Sequence, residues 1–455
     1  MSERSAGREQ WSTRVGFILA AVGSAVGLGN VWRFPFVTGE SGGAGFLLVY
    51  LLFIIVVGFP AMLVEFVIGR KTERNPVGAM KTIGTGAWRY VGWIFVVTTF
   101  VIMSYYSVIA GWTVRYTILG LEDGYAADIE AAGEQFGDLS VGLDAMAFHG
   151  LFLLAIVAIV GLGIRRGIEL AVKVMVPAIV AIVVGLAIWA TTLDGAGEAY
   201  SYYLSPDFDE LAANWTTVLP AAAGQAFFTL SLGFGIMITY ASYLGEDRNL
   251  GEDGVVIIGF DTAIAFVVGL IVFPILFTAG IDPGEPGPGA IFVSLSTAFG
   301  ELAAGGLIGA IFFLTVLIAA LSSAISLTEV IVSYAIDELG MERFRATALV
   351  CGALFVFGLA PAYDIVLLEV YDGLADGVLL VLGGLLIAAY VGWNWSDEAV
   401  EELGKGIGDV GRLSTAWVWM VRIPVIVVLL VALVLGIVDY VEFLTDDFAG
   451  WLGEL

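Results

Sequence analysis

The segment AAVGSAVGLGNVWRFPFVTGE at 20–40 runs apolar residues into Gly23, Gly27 and Gly29, followed by Asn30 and Arg33. A helix crossing hydrocarbon must satisfy its backbone groups internally, because each unpaired amide there costs several kcal/mol. Each glycine weakens a helix by ~1 kcal/mol relative to Ala, and an arginine at membrane depth costs more still. Such a segment is expected where carbonyls and amides serve as ligands at mid-membrane depth, so it points to an ion and solute pathway. A second segment, GQAFFTLSLGFGIMITYASYLG at 224–245, is interrupted in the same way by Gly233 and Gly235. Close helix–helix packing of the small-xxx-small kind is the plain alternative for either cluster, and Ala21, Ala25 and Gly29 fit it. Acids lie inside apolar runs at Glu65, Asp261 and Glu329. An ionisable group at membrane depth is a functional hypothesis by default, although Glu65 could equally serve broken-helix amides.

These residues need long apolar elements to hold them. The chain has 455 residues, of which 59% are hydrophobic and 14% charged, with a mean hydropathy of +0.95. Length alone suggests about three soluble domains, but apolar stretches long enough to cross ~30 Å of hydrocarbon recur throughout. Eleven are expected, near 14–37, 43–69, 88–119, 147–163, 168–193, 215–244, 254–280, 304–338, 345–361, 365–394 and 415–438. The pattern predicts an all-α integral membrane protein. The first stretch lacks a small-residue cleavage site, so it is expected to be retained rather than removed as a signal peptide.

The segment 70–89 carries Arg70, Lys71, Arg74, Lys81 and Arg89, and further basic residues flank the fourth-to-fifth and eighth-to-ninth connections. The stretches 121–145, 194–214, 281–302 and 439–455 contain no Lys or Arg. The positive-inside rule then places the N-terminus in the cytoplasm and the C-terminus outside the cell membrane. In the connection 281–303, DPGEPGPG precedes FVSLSTAF, which reads as a short helix closing a lid or as an ordinary surface loop. A net charge of −25 excludes nucleic acid as a partner, and acidic, lysine-poor loops suit a high-salt host. Cys351 lies in an apolar run and is expected to be a small buried hydrophobe. The single histidine, His149, has no metal or nucleophile constellation around it, so an enzyme is not expected.

The two interrupted segments fall in spans one and six, which correspond if spans 1–5 and 6–10 are repeats. Five spans per repeat is an odd number, so the halves are expected to be inverted, with a solute site between them at the midplane. The expected division is a cytoplasmic segment 1–10, repeats at 11–195 and 196–395, and a last span with an acidic tail at 396–455.

Taken together, GSAVGLGNVWRFP at 23–35 and GQAFFTLSLGFG at 224–235 resemble the sodium-coupled neurotransmitter and amino-acid symporter family, especially its leucine-transporter-like prokaryotic members. That family is itself the type case for paired broken helices. REQW at 8–11, VEFVIGR at 64–70, SYY at 104–106, LSSAIS at 321–326 and DEL at 337–339 extend the likeness over nearly the whole chain. The resemblance implies a 5+5 inverted repeat plus one helix, with helices 1 and 6 discontinuous.

It also implies two sodium sites. The first would use the Ala25 carbonyl and the side chains of Asn30, Thr229 and Asp261. Leucine-transporter-like members have an amide where this chain has Asp261. Chloride-dependent members bind an anion through groups matching Tyr50, Gln225 and Thr229, and the usual replacing acid corresponds here to Ala265. Asp261 is therefore expected to replace chloride, unless it only caps span seven. The second site would use carbonyls of Gly23, Val26 and Ala319 and hydroxyls of Ser322 and Ser323, although adjacent serines alone more often bond their own helix.

For the substrate, the resemblance sets a carboxylate against the Leu28 and Gly29 amides and the Tyr106 hydroxyl, as half-helix N-termini favour. An ammonium would meet carbonyls of Ala25, Phe228 and Thr229 and the Ser231 hydroxyl. Monoamine carriers have Asp where this chain has Gly27, so a zwitterion is expected. Ser24, Ile102, Phe228, Phe234, Ser323, Ser326 and Leu327 would line a pocket for a neutral apolar or aromatic side chain.

Arg33 would pair with Asp372, or with its rival Asp376, as an outer gate above Tyr106 and Phe228. Arg8 would pair with Asp337 beside a Trp11 plug as the inner one. Exposed pairs are worth only ~0–1 kcal/mol, which suits gates and ordinary surface pairs alike. The expected function is sodium-coupled import of a neutral amino acid by alternating access, without chloride. A transport-dead receptor, an ion channel and a proton-coupled variant stand as alternatives, and both monomer and homodimer stay open.

Overall fold

The computed structural model describes residues 10–283, 290–406 and 411–454. Among them there is no strand, because each apolar run is long enough to close its own backbone hydrogen bonds as helix. The membrane-length elements are α1 (Arg14–Ala25 with Gly29–Glu40), α2 (Ala44–Thr72), α3 (Gly86–Leu121), α4 (Gly142–Val160) and α5 (Ile164–Ala190). They continue with α6 (Trp215–Thr229 with Ile236–Ala241), α7 (Leu250–Ala279), α8 (Gly305–Leu339), α9 (Arg343–Tyr363), α10 (Ile365–Trp393) and α11 (Gly411–Gly453). By length and composition nine described helices can each cross a membrane, and the bent pair of α1 makes ten. The eleventh expected span, α6, does not count by that measure because its break leaves two halves that are each too short. Helix α11 reaches well past 438, so part of the expected acidic tail is helical.

Helices α3 and α8 pack along each other, and α4 and α9 pack against both of them and against each other. The first half of α1 lies against α5, α7 and α8, and the second half of α6 lies against α2. Most of the expected proline-glycine hinge, 284–289, falls outside the described residues. The short helix after it is present as Ala290–Leu295 and Ser296–Glu301, and it is docked. Phe292 packs its ring against Trp112, Tyr116, Phe136 and Phe313, with centroids 5.0–5.6 Å apart. Cys351 is buried and free, as its apolar setting requires.

Candidate substrate and ion site

Helix α1 breaks where its glycines cluster, and its halves meet at a bend of 49°. In α6 the break spans 230–235, with positive φ at Ser231, Gly233 and Gly235. Gly233, at φ 79°, sits where an added Cβ would lie 2.5 Å from the Leu380 carbonyl, so both its backbone angle and its surroundings call for glycine. Other parts of the chain meet the freed backbone groups. The Glu65 carboxylate accepts from the Gly233 amide at 2.7 Å, so this buried acid does brace the broken helix. The Ser24 carbonyl accepts from the hydroxyls of Ser231 at 3.0 Å and Ser323 at 2.8 Å.

Between the breaks lies a cavity of about 480 Å³. Twelve of the fourteen expected substrate residues line it: Ser24, Ala25, Gly27, Leu28, Gly29, Ile102, Tyr106, Phe228, Ser231, Phe234, Ser323 and Leu327. The Leu28 amide points at the Tyr106 hydroxyl at 3.5 Å. A Cβ on Gly27 would come 2.2 Å from the Ser323 hydroxyl oxygen and 3.2 Å from that of Tyr106, so glycine keeps this floor open.

Two expected residues do not line the cavity. Ser326 stands behind Ser24, their hydroxyls 2.7 Å apart, because the turn of α8 that carries it faces the broken helix rather than the void. Thr229 turns away toward α7, where its hydroxyl donates to the Asp261 carboxylate at 3.2 Å.

Asp261, Asn30 and Thr229 form one buried cluster. Asn30 donates through its amide nitrogen to the Asp261 carboxylate at 2.8 Å and to the Asp261 carbonyl at 3.2 Å, and its own side-chain oxygen accepts from the Gly27 amide. Asp261 is fully buried and, among the described residues, has no Lys or Arg partner. It stands mid-helix, far from the Asn249 side chain that caps α7, so capping does not explain it. A buried carboxylate without a counter-charge costs several kcal/mol, and a hard cation among these oxygens would remove that cost. Close by, Gln225 donates to the Gly29 carbonyl at 3.1 Å, while Tyr50 and Ala265 are buried.

The residues expected at the second ion site also converge. Ser322 donates to the Ala319 carbonyl at 2.8 Å and reaches the Val26 carbonyl at 3.5 Å, and Gly23 lies within close packing distance of Ser322. Ser323 faces Ser24 and the cavity instead.

The cavity extends away from Trp11 to a rim that holds Arg33, Glu40, Glu369, Asp372 and Asp376. Arg33 pairs with Asp376 at 2.9 Å and stacks 4.6 Å above the Phe228 ring. The rival acid is therefore the partner and Asp372 is not. Asp376 lies in a π-helical stretch over residues 373–380, and both it and Asp372 face the cavity. Glu40 and Glu369 escaped the sequence reading, though spacing could have found them: 33, 36, 37 and 40 share one helical face, as do 369, 372 and 376.

At the other end Trp11 is buried, donates to the Tyr240 carbonyl at 3.0 Å and sits edge-on to Tyr240 and Tyr243. Glu329 is held between the Tyr243 hydroxyl and Arg343, each at 2.7 Å. Asp337 accepts from the backbone and side chain of Asn75 at 3.2 and 3.1 Å, while its expected partner Arg8 lies outside the described residues. His149 is buried and stacked on Phe355, remote from this machinery.

The model of the sodium:neurotransmitter symporter family matches residues 8–129 and 134–452. The chain belongs to that family. An uncharacterized sodium-dependent transporter of Haemophilus influenzae is 34% identical, covering 89% of this chain and 93% of the relative. One from Methanocaldococcus jannaschii is also 34% identical, covering 98% and 93%. The sodium-dependent serotonin transporter of Drosophila melanogaster is 26% identical, over 97% of this chain and 78% of its own length. Among solved structures, MhsT in complex with L-phenylalanine superposes with a TM-score of 0.84 at 37% identity, covering 94% of this chain and 99% of that one. The protein is a multi-pass, sodium-coupled transporter of the leucine-transporter-like fold, and not an enzyme.

Proposed function

We propose that this transporter imports a neutral apolar or aromatic amino acid together with two sodium ions, independently of chloride. The supporting observation is the division of charge along the cavity. Its floor has helix-end amides, hydroxyls and apolar side chains, with Gly27 in place of an acid, whereas every ionisable carboxylate of the lining sits at the rim. Such a floor suits a zwitterion whose carboxylate meets the Leu28 and Gly29 amides and whose side chain meets Ile102, Phe228, Phe234 and Leu327. The structural neighbour holds L-phenylalanine, which favours the same class of substrate here.

Asn30, Thr229, Asp261 and the Ala25 carbonyl serve the first sodium ion in this reading. Gly23, Val26, Ala319 and Ser322 serve the second, while Ser323 faces the cavity. The Asp261 carboxylate supplies the negative charge that chloride supplies elsewhere in the family. Repeats at 11–195 and 196–395 rock against each other in the cell membrane, with the N-terminus in the cytoplasm. The Arg33–Asp376 pair closes the outer side, and Trp11, with Arg8 and Asp337, closes the inner one.

A calorimetric screen of the purified protein against the standard amino acids tests this reading. Neutral apolar and aromatic amino acids are expected to bind in sodium chloride and equally in sodium gluconate, but not in potassium chloride. Binding that needs chloride, or that favours charged amino acids, would overturn it.

A further inference from the structure

A second cavity, of about 330 Å³, lies between the short helix Ser396–Gly404 and the start of α11. Arg422 stands in its wall and gives one N–H to the Gly392 carbonyl and another to the Ser396 hydroxyl. Its guanidinium lies 5.1 Å from the centre of the Trp393 ring and 5.6 Å from that of Trp419. Among the described residues no carboxylate comes within ion-pairing distance of Arg422, so donors of the fork remain for an anion. Thr415 adds a hydroxyl to the same wall and Asp397 adds one carboxylate, while the Ser414 hydroxyl donates to the Gly411 carbonyl at 2.8 Å. The helix forming the other wall is fixed, because its Glu402 pairs with Arg70 at 2.7 Å with both side chains fully buried.

The location identifies the ligand's other end. Gly392 and Trp393 close α10 at the end of the bundle that carries the basic connections, and half-exposed tryptophans mark a membrane interface. From the cavity, exposed Ile423, Val427, Leu430 and Val434 run up one face of α11 at spacings of four, three and four residues. A guanidinium, a hydroxyl and a carboxylate at headgroup depth therefore stand at the foot of an apolar stripe. We infer that this cavity binds a glycerophospholipid with a phosphoethanolamine headgroup. Arg422 and Thr415 take the phosphate, Asp397 takes the ammonium, and an acyl chain lies along the stripe. The site is separate from the transport cavity and stands whether or not the substrate assignment does.

Native mass spectrometry of the full chain in detergent tests it, with phosphatidylethanolamine, phosphatidylglycerol, diacylglycerol and free phosphoethanolamine as probes. Phosphatidylethanolamine is expected to bind tightest, and Arg422→Gln to weaken it about tenfold or more. Asp397→Asn should weaken phosphatidylethanolamine several-fold, about the range for one charged hydrogen bond, and leave phosphatidylglycerol unchanged. Thr415→Val, a near-isosteric change, gives an independent reading if the arginine variant fails to fold, and a weaker phosphatidylethanolamine complex is expected from it. Equal binding of diacylglycerol or phosphatidylglycerol, equal binding by the variants, or free phosphoethanolamine binding as tightly as the lipid would overturn the inference.

Discussion

Asp261 decides most at the scale of single residues, because it is a fully buried acid whose neighbours are Asn30 and Thr229 rather than a basic side chain. Asp261→Asn keeps the shape and removes the charge. The sodium concentration for half-maximal binding should rise about tenfold or more, and chloride should begin to stimulate binding. Calorimetry in chloride and gluconate salts measures both. Gly27 carries a steric claim: Gly27→Ala would press a methyl group against the Ser323 hydroxyl. Overpacking of this kind costs about 1–3 kcal/mol, so amino-acid affinity should drop about 5- to 150-fold while the fold survives. The cluster of Asn30, Thr229 and Asp261 was legible because Asn30 and Thr229 sit in the two long broken-helix motifs, while Asp261 stood out as an acid inside an apolar run. The facing of Thr229 and Ser326 was not, because a side chain beside a helix break takes its direction from where the chain resumes.

The two breaks are the unit of argument at the scale of elements. Glycine clusters gave their positions, and nothing in local sequence said which distant group would meet the freed amides. Glu65 does so for Gly233 from α2. Glu65→Ala should therefore destabilise the protein by about 1–3 kcal/mol, the penalty for stranding a buried donor, read as a lower thermal midpoint. Glu65→Gln, which keeps an acceptor, should lose less. The Arg33 ion pair shows why register is harder to read than presence. Asp372 and Asp376 are one turn apart and both line the cavity, yet Arg33 pairs with Asp376, a choice that spacing alone does not make. The Arg33 and Asp376 side chains are 37% and 20% exposed, so the pair contributes little to stability. Asp376→Asn should leave the thermal midpoint nearly unchanged and speed substrate release, whereas Asp372→Asn should do so much less. Stopped-flow dissociation distinguishes them.

At the scale of the whole molecule, the central cavity runs from the two breaks to the acidic rim, with a buried Trp11 beyond its other end. Nearly every long apolar run in the sequence became a helix; α1 is bent at its break, and α6 falls short of a spanning helix because its middle is unwound. The cavity reaches the acidic rim but not Trp11, an asymmetry that suits one state of an alternating-access cycle. The central claim is that this arrangement couples a sodium gradient to amino-acid movement, and uptake by proteoliposomes tests it most directly. With sodium outside and potassium inside, radiolabelled phenylalanine should accumulate above its external concentration, and collapsing the sodium gradient should abolish the accumulation. Binding of amino acids with no uptake, or uptake indifferent to sodium, would contradict the account.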